Sequence, residues 1–215
     1  AQAEFEKMSQ EQVDKAVQTI ARVVYDNAQY FAEIAVEETG MGNVEDKFAK
    51  NTPKAGIVWN NLRGKKSRGI LETDETTGIT TVAKPVGVVA AITPCTNPIV
   101  TPMSNAMFAR KCGNAIIITP HHKSIKCSTK VVDMMNAALA ELGYPENLIQ
   151  ILDEHSRENT RNLISSADVV VATGGAGMVG AAYSSGRPAL GVGAGNVQCI
   201  IDEGYDYKEA VPKII

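Results

Sequence analysis

A stiff loop carrying an asparagine is the first segment whose residue types could do chemistry. Residues 93–98, with the sequence TPCTNP, follow directly on a near-continuous apolar run. Proline fixes the backbone φ angle, so the two prolines stiffen the loop and hold Asn97 near the start of a predicted helix. A side-chain amide held in this way is a good hydrogen-bond donor to an oxyanion. Asparagine is also a common helix N-cap, and the spacing alone leaves both interpretations open.

A second loop contains a pair of histidines. Residues 119–124, with the sequence TPHHKS, follow another apolar run and open a helix, so their backbone N–H groups could bind phosphate. The histidine pair also raises the question of a metal ion. Adjacent side chains in a helix or turn usually point apart, and no carboxylate or third ligand is nearby in sequence. We therefore expect no metal site here.

Two glycine clusters follow later in the chain. Residues 175–180, GAGMVG, match the pattern G-x-G-x-x-G after a predicted strand and before a helix. The match is weak evidence for a dinucleotide, because no acidic residue closes a strand about 20 residues later. Residues 191–196, GVGAGN, precede a predicted last strand and are equally typical of a simple loop.

Composition excludes several classes of protein. The 215 residues are 44% hydrophobic and 21% charged, with a net charge of −3, which is ordinary for a globular domain and unlike a nucleic-acid binder. No apolar run approaches the length of a membrane span, and the polar N-terminal residues are not typical of a signal peptide. The four cysteines show no metal-binding spacing, so we expect a reduced protein in the cytoplasm.

The elements that must position these loops fall into three blocks. Residues 9–65 are predicted to be helical, beginning with an N-cap at Ser9 and its capping-box partner Gln12. Their apolar stripe favours packing on a core, with docking on a partner or an encapsulating shell as the alternative. Residues 68–84 alternate apolar and polar positions around a turn at 74–77, which predicts a protruding β-hairpin.

Residues 85–202 alternate strands and helices. The strands are expected at 86–93, 115–119, 148–152, 168–173 and 197–202. Runs that are apolar on both faces, separated by helices, predict a parallel sheet covered on two sides. The fold class is therefore α/β, a doubly wound Rossmann-like sheet with N-terminal helices and a protruding hairpin. Ligands bind such sheets beyond the carboxyl ends of the strands, where the loops at 93–98, 119–124 and 175–180 lie.

Four short motifs occur in a familiar order. They are TPCTNP at 93–98, IITPH at 117–121, ATGG at 172–175 and GAGN at 193–196. On these motifs the chain resembles the nucleotide-binding half of the aldehyde dehydrogenase superfamily. Among its branches it is most similar to the CoA-acylating enzymes, including the aldehyde part of bifunctional aldehyde–alcohol dehydrogenases.

The resemblance implies roles for particular residues. Asn97 matches the amide of the oxyanion hole. The positions expected around the cofactor are Thr93, Pro94, Cys95, Thr96, Thr119, Pro120, His121, His122, Thr173, Gly174, Gly175 and Gly193. Hydrolytic members carry a lysine where this chain has Thr119, followed by an acid that binds the adenine ribose. The basic residues 121–123 offer no such acid, so both NAD and NADP remain candidates.

Two departures from the hydrolytic branch carry further implications. Hydrolytic members have a glutamate at about Val192 that activates water, and this chain has no acid there. A thioester would then persist until a thiol accepts the acyl group, which fits CoA as co-substrate. The family's nucleophilic cysteine lies on a separate catalytic domain that follows the matched segment, and we expect that domain to be absent from this chain. Cys95 is the only conceivable substitute.

The resemblance thus implies the cofactor-binding portion of an oxidoreductase that converts an aldehyde, CoA and NAD(P) to acyl-CoA and NAD(P)H, reversibly. The chain alone would be inactive, and hairpin 68–84 would join copies into a homo-oligomer. The expected location is the cytoplasm, with a bacterial microcompartment as a variant of it. The alternatives are another semialdehyde dehydrogenase branch and a non-catalytic dinucleotide-binding or assembly module.

Overall fold

A computed structural model describes residues 1–154, 156–195 and 198–214 of the chain. The chain begins with four helices that pack around one another. They are α1 (Gln2–Phe5), α2 (Gln10–Asp26), α3 (Ala28–Thr39) and α4 (Val44–Leu62). The predicted capping box starts α2, because Ser9 accepts from the Gln12 N–H and the Gln12 side chain accepts from the Ser9 N–H. Its apolar stripe, from Val13 to Val24, is buried, so the packing interpretation holds.

A two-stranded hairpin follows and stands apart from the rest of the fold. Strands β1 (Gly69–Asp74) and β2 (Ile79–Ala83) are antiparallel, as predicted. The Asp74 carboxylate accepts from backbone N–H groups of the turn, and Gly78 takes a positive φ of 72°. Every residue of β1 is exposed. The hairpin therefore presents both faces to its surroundings.

The remaining strands form one parallel sheet of five strands. They are β3 (Val88–Ile92), β4 (Ala115–Thr119), β5 (Ile149–Ile151), β6 (Val169–Thr173) and β7 (Ala189–Val192). The order across the sheet is β5-β4-β3-β6-β7, and every pair is parallel. The chain therefore winds outward from the central β3 on one side, then returns to build the other side. This is the predicted doubly wound topology.

Helices cover both faces of the sheet. They are α5 (Val100–Lys111), α6 (Ile125–Ala140), α7 (Arg157–Ser166) and α8 (Ala176–Tyr183), and α9 (Tyr207–Ile214) follows near the C-terminus. Alternate residues of β3 point into two separate cores, because side chains alternate along a strand. Val89 and Ala91 join the core with the N-terminal helices, α5 and α6, whereas Ala90 and Ile92 join the core with α7 and α8.

One predicted strand is wrong. Residues 198–202 form no strand, and Val197 lies outside the described residues. The fifth strand of the sheet is instead β7, whose last two residues belong to the glycine cluster at 191–196 that the sequence pattern left open as a loop. Gly191 of this strand pairs with Ala172 of β6, and a Cβ at Gly191 would come within 2.6 Å of Val179, so only glycine lets β7 lie this close to α8. The apolar run that misled the prediction is not buried in the described structure, and Ile200 is 93% exposed.

Within the described part of the chain, no helix has the length and apolar character needed to cross a membrane. The same residues contain no cluster of three or more histidine, cysteine, aspartate or glutamate side chains that could hold a metal ion.

Candidate active site

A cavity of about 440 Å³ opens at the carboxyl ends of the central strands. This volume lies within the usual range for sites that bind small molecules and cofactors. Its walls are Ile92, Thr93, Pro94, Cys95, Thr96, Asn97, Thr119, Pro120, His121, Thr160, Thr173, Gly174, Gly175, Met178, Gly193 and Ala194. The sequence-predicted residues are therefore brought together, with the exception of His122. The ring of His122 lies against His121, with 4.1 Å between the ring centroids.

The sheet topology explains why distant loops meet here. Ile92, at the end of β3, is paired with Thr119 of β4 on one side and with Ala172 of β6 on the other. The chain leaves β3 and β6 in opposite directions, which opens a crevice between their carboxyl ends. The Thr93 N–H donates to the Thr119 carbonyl at 3.1 Å and holds the first two loops together.

Two buried threonine hydroxyls in the cavity wall have no hydrogen-bond partner among the described residues. Thr93 and Thr119 are both 2% exposed. Their Oγ1 atoms are buried, and neither has a hydrogen-bond partner among the described residues. A buried hydroxyl without a partner is costly, so such groups usually meet a ligand or water. A dinucleotide carries ribose hydroxyls and phosphate oxygens of the right kind, and the residues present therefore fit this cofactor.

The glycine turn leaves one wall of the cavity free of side chains. Gly175 is the N-cap of α8, and its carbonyl accepts from the Met178 and Val179 N–H groups. A Cβ on Gly175 would meet nothing within 4 Å, and one on Gly174 would reach only Met178. A ligand can therefore approach the backbone closely, as phosphates do at the start of a helix.

Asn97 lies where the cavity meets the N-terminal helices. Its backbone carbonyl accepts from the Thr101 N–H at the start of α5, as expected of a residue that leads into a helix. Its side chain contacts Lys50 of α4, whose Nζ donates to Oδ1 at 2.6 Å. The N-cap of α5 is Ile99, with no side-chain cap, so the Asn97 side chain does not cap the helix. Among the described residues Asn97 Nδ2 donates to no acceptor, so it can serve a ligand. This geometry favours the oxyanion interpretation over the capping one.

Sequence comparison now decides the family. The sequence profile of the aldehyde dehydrogenase family matches residues 1–215. The chain belongs to the aldehyde dehydrogenase family.

Its curated relatives include enzymes that are named as acetylating or acylating. The chain is 57% identical to an acetylating succinate-semialdehyde dehydrogenase from Clostridium kluyveri, over all of this chain and 48% of the relative. It is 41% identical to the bifunctional aldehyde-alcohol dehydrogenase of Escherichia coli, over all of this chain and 24% of that protein. The chain thus spans at most about half the length of these relatives.

Solved structures agree with this placement within the family. An acetylating aldehyde dehydrogenase from Geobacillus thermoglucosidasius superimposes with a TM-score of 0.89 at 43% identity, over 92% of this chain and 44% of its own. A propionaldehyde dehydrogenase from Rhodopseudomonas palustris with bound CoA and an acylated cysteine gives 0.80 at 36% identity, over 91% and 45%. An engineered glycolyl-CoA reductase with bound NADP+ gives 0.81 at 34% identity, over 98% and 48%.

The described walls of the cavity in this aldehyde dehydrogenase chain carry no carboxylate. None of the described residues that line it is an aspartate or glutamate. Val192, near which hydrolytic members are expected to carry a glutamate, is 59% exposed at the end of β7. Asn196, the last residue of the fourth motif, lies outside the described residues. On its described walls, the cavity therefore offers no carboxylate that could act as a general base for water.

The cysteines differ in their suitability as nucleophiles. Cys127 is buried, and burial together with the hydrogen-bonded Glu38 raises the pKa of its thiol to about 12. A thiol with this pKa is a poor nucleophile at neutral pH. Cys112 and Cys199 are exposed and do not line the cavity. Cys95 does line it, two residues from Asn97, and is half-buried.

Sequence reasoning missed four residues of the cavity wall. Ile92 directly precedes the loop at 93–98, and Ala194 lies within the GAGN motif at 193–196, next to the predicted Gly193. Met178 lies within the G-x-G-x-x-G match, on the first turn of α8. Thr160 of α7 is different, because no motif in the sequence around it indicates a site. The strand order of the sheet places its helix beside the cavity. Lys50, in the same way, meets Asn97 across 47 positions of sequence.

Proposed function

We propose that the chain forms the cofactor-binding half of an acylating aldehyde dehydrogenase. The complete enzyme converts an aldehyde, CoA and NAD(P) to acyl-CoA and NAD(P)H, and it can run in reverse. The observation that carries the proposal is the position of the Asn97 amide beside a cavity with two unpartnered threonine hydroxyls and a bare glycine turn. Residues 9–65 support this site, hairpin 68–84 joins copies, and residues 85–202 build the cofactor platform.

Three groups of residues would hold the dinucleotide. The hydroxyls of Thr93 and Thr119 would hydrogen-bond its polar groups, and the turn from Thr173 to Gly175 would lie against its phosphates. When bound, the nicotinamide ring accepts a hydride from the substrate. The absence of an acid at residues 119–124 is compatible with a 2′-phosphate as well as a free 2′-hydroxyl, so the proposal includes both NAD and NADP.

Asn97 would act on the substrate itself. A cysteine thiolate, supplied by a catalytic segment outside this chain, adds to the aldehyde carbonyl and forms a carbon–sulfur bond. The carbonyl π electrons move to oxygen, and the Asn97 Nδ2–H stabilises the resulting oxyanion. Once the carbon is oxidised to a thioester, the described cavity offers no carboxylate to activate water. The CoA thiol therefore takes the acyl group and releases the enzyme cysteine.

A hybrid enzyme tests this proposal. Residues 1–215 replace the matching segment of the Clostridium kluyveri relative, and the absorbance of reduced cofactor is followed with aldehyde and CoA. We expect turnover that requires CoA, and a 100- to 1,000-fold loss of kcat, in order of magnitude, with Asn97→Ala. Release of free acid without CoA would contradict the proposal. Turnover by the 215-residue chain alone would also contradict it and would make Cys95→Ala the next variant.

Hairpin 68–84 supports the proposed assembly into a homo-oligomer. Ile70, Ile79 and Val82 are 53%, 63% and 48% exposed, on strands that pair only with each other in the part of the chain that the structure describes. Exposed apolar residues on a projecting hairpin are typical of an interface. Ile79→Asp should lower the mass measured by light scattering, whereas Thr80→Asp on the same strand serves as the control. An unchanged mass with both variants would contradict this role.

A reducing compartment is the location we propose. All four cysteines are free thiols. This pattern fits the cytoplasm or a microcompartment within it.

A further inference from the structure

Lys50 contacts the amide that the proposed reaction depends on. It lies on α4, whereas Asn97 lies in the loop between β3 and α5. The Nζ–Oδ1 distance of 2.6 Å is short for a hydrogen bond between a nitrogen and an oxygen, as expected when the donor is charged. A second, much smaller cavity lies on this side of Asn97, lined by Lys47, Lys50 and Asn51 among others. Asn97 therefore separates the lysines from the cofactor cavity.

The chemistry of the two groups selects one orientation of the amide. An ammonium group has three donors and no acceptor, whereas an amide has an acceptor end and a donor end. Lys50 can therefore satisfy Oδ1 but cannot satisfy Nδ2. Rotating the amide by half a turn would place two N–H groups against a cation and break the hydrogen bond. With Oδ1 held by Lys50, the Nδ2 donors point to the opposite side of the amide group.

The surroundings of Lys50 make this interaction stronger than a surface contact. Burial lowers the pKa of Lys50, and the like charge of Lys47 one turn earlier lowers it further. Lys47 is 6% exposed; burial lowers its pKa, and the thiols of Cys127 on α6 and Cys95 in the Asn97 loop act in the opposite direction. No carboxylate among the described residues forms an ion pair with Lys50. Its charge is therefore directed at Asn97 without a competing anion.

We propose that Lys50 is a positioning residue that fixes the Asn97 amide with its Nδ2 donors toward the cofactor cavity. The catalytic value of this orientation rests on the proposed function, since Asn97 must serve an oxyanion there. Lys50 itself does not touch the reacting atoms. Its positive charge on Oδ1 also polarises the amide and strengthens Nδ2–H as a donor. An oxyanion hole works through donors already aimed at the developing charge, and Lys50 would provide that aim.

Nuclear magnetic resonance on the 215-residue chain tests the proposal without any turnover. The side-chain amide resonances of Asn97 are identified by their loss in Asn97→Ala. In the wild-type chain, these resonances should shift with pH at the same midpoint as the Cε resonance of Lys50, since both report one proton. Lys50→Met should abolish this shift and Lys50→Arg should preserve a fixed amide at every pH. Lys54→Met, an exposed site one turn further along α4, is the matched control and should change nothing.

The outcomes separate the two proposals. If the Asn97 amide does not respond at the Lys50 midpoint, or responds equally in Lys50→Met, the positioning role is overturned, whatever the hybrid enzyme does. If the coupled titration appears but the hybrid enzyme is inactive, the positioning role stands and the proposed function fails. The wild-type titration needs no substitution at Lys50, so a poorly folded variant cannot obscure the result.

Discussion

Arg110 should be a position where removing a charge stabilises the protein. It lies near the end of α5 with 0% exposure, and none of its three guanidinium nitrogens has a hydrogen-bond partner among the described residues. The guanidinium lies over the ring of Phe5, 5.2 Å from its centroid, and Arg68 is a second cation over the same ring at 5.5 Å. A buried charge without a partner opposes folding. Arg110→Met keeps a long side chain against Phe5 and removes the charge.

The magnitude follows from the effect of burial on the pKa. Burial lowers the pKa of Arg110 to about 9, and the charge of Arg68 adds to the effect. At about 1.4 kcal/mol per pKa unit, the folded state carries a penalty of about 4 to 5 kcal/mol at pH 7. The contact with the Phe5 ring offsets roughly 1 to 2 kcal/mol of it. We therefore expect Arg110→Met to raise the free energy of unfolding by about 2 to 4 kcal/mol.

The gain should shrink at alkaline pH. Above pH 9 the folded wild-type chain releases the Arg110 proton, while the unfolded chain keeps it up to its ordinary, higher pKa. The unfolded state then binds more protons, so wild-type stability rises with pH through this group. At pH 10 the advantage of Arg110→Met should be smaller by about 1.4 kcal/mol than at pH 7.

Urea denaturation at both pH values measures these effects. Arg68→Met is the contrasting variant, because Arg68 donates to the Phe5 and Glu6 carbonyls and its loss should destabilise the chain. A loss of about 2 kcal/mol or more with Arg110→Met would refute the reasoning, since it would mean that the guanidinium has a partner in solution. A gain that does not change between pH 7 and pH 10 would refute the pKa argument.

Three further sets of substitutions test the threonine hydroxyls, the contact between Lys50 and Asn97, and the start of α6. Thr93→Val and Thr119→Val should each weaken NAD(P) binding about 3- to 10-fold by calorimetry. The free chain should be equally or more stable, because a buried hydroxyl without a partner is removed. Unchanged affinity would show that these hydroxyls do not bind the cofactor. In the hybrid enzyme, Lys50→Met should lower kcat about 10-fold with little change in the KM for the cofactor. When Asn97→Ala is already present, Lys50→Met should lower kcat no further. Additive losses of kcat would contradict a role of Lys50 through Asn97. Glu38→Ala should lower the free energy of unfolding, measured in urea, by about 1 to 3 kcal/mol. The reason is that the Glu38 carboxylate accepts from two N–H groups at the start of α6, at 2.8 and 2.7 Å. An unchanged urea midpoint would show that water replaces the carboxylate.

Local pattern was sufficient for most of the fold. The alternation in β1 and β2 and the buried runs of β3, β4 and β6 depend on side-chain periodicity, which a sequence displays directly. β7 was missed because it is short, contains Gly191 and exposes Leu190. The predicted strand at 197–202 has the composition of a buried strand, yet its described residues, 198–202, form none. What distinguishes the two is the presence of a neighbouring strand, which periodicity does not encode.

The candidate site also has parts that the sequence predicted and parts that it did not. The loops after β3, β4 and β6 were predictable, because ligands bind at strand ends in a doubly wound sheet. The contact between Lys50 and Asn97 was not, since it joins a helix and a loop 47 positions apart. Thr160 lines the cavity because α7 lies in the connection between β5 and β6. Arg110 is buried because α5 packs against Phe5 of α1. These features depend on tertiary geometry alone.

Isothermal titration of the 215-residue chain with NAD+ and with NADP+ tests the central claim most directly. We expect saturable binding of at least one of them to a single site per chain, weakened by Thr93→Val. Circular dichroism confirms in parallel that the chain is folded. A folded chain that binds neither dinucleotide at millimolar concentration would contradict the claim that the cavity at the ends of β3, β4 and β6 is a cofactor site.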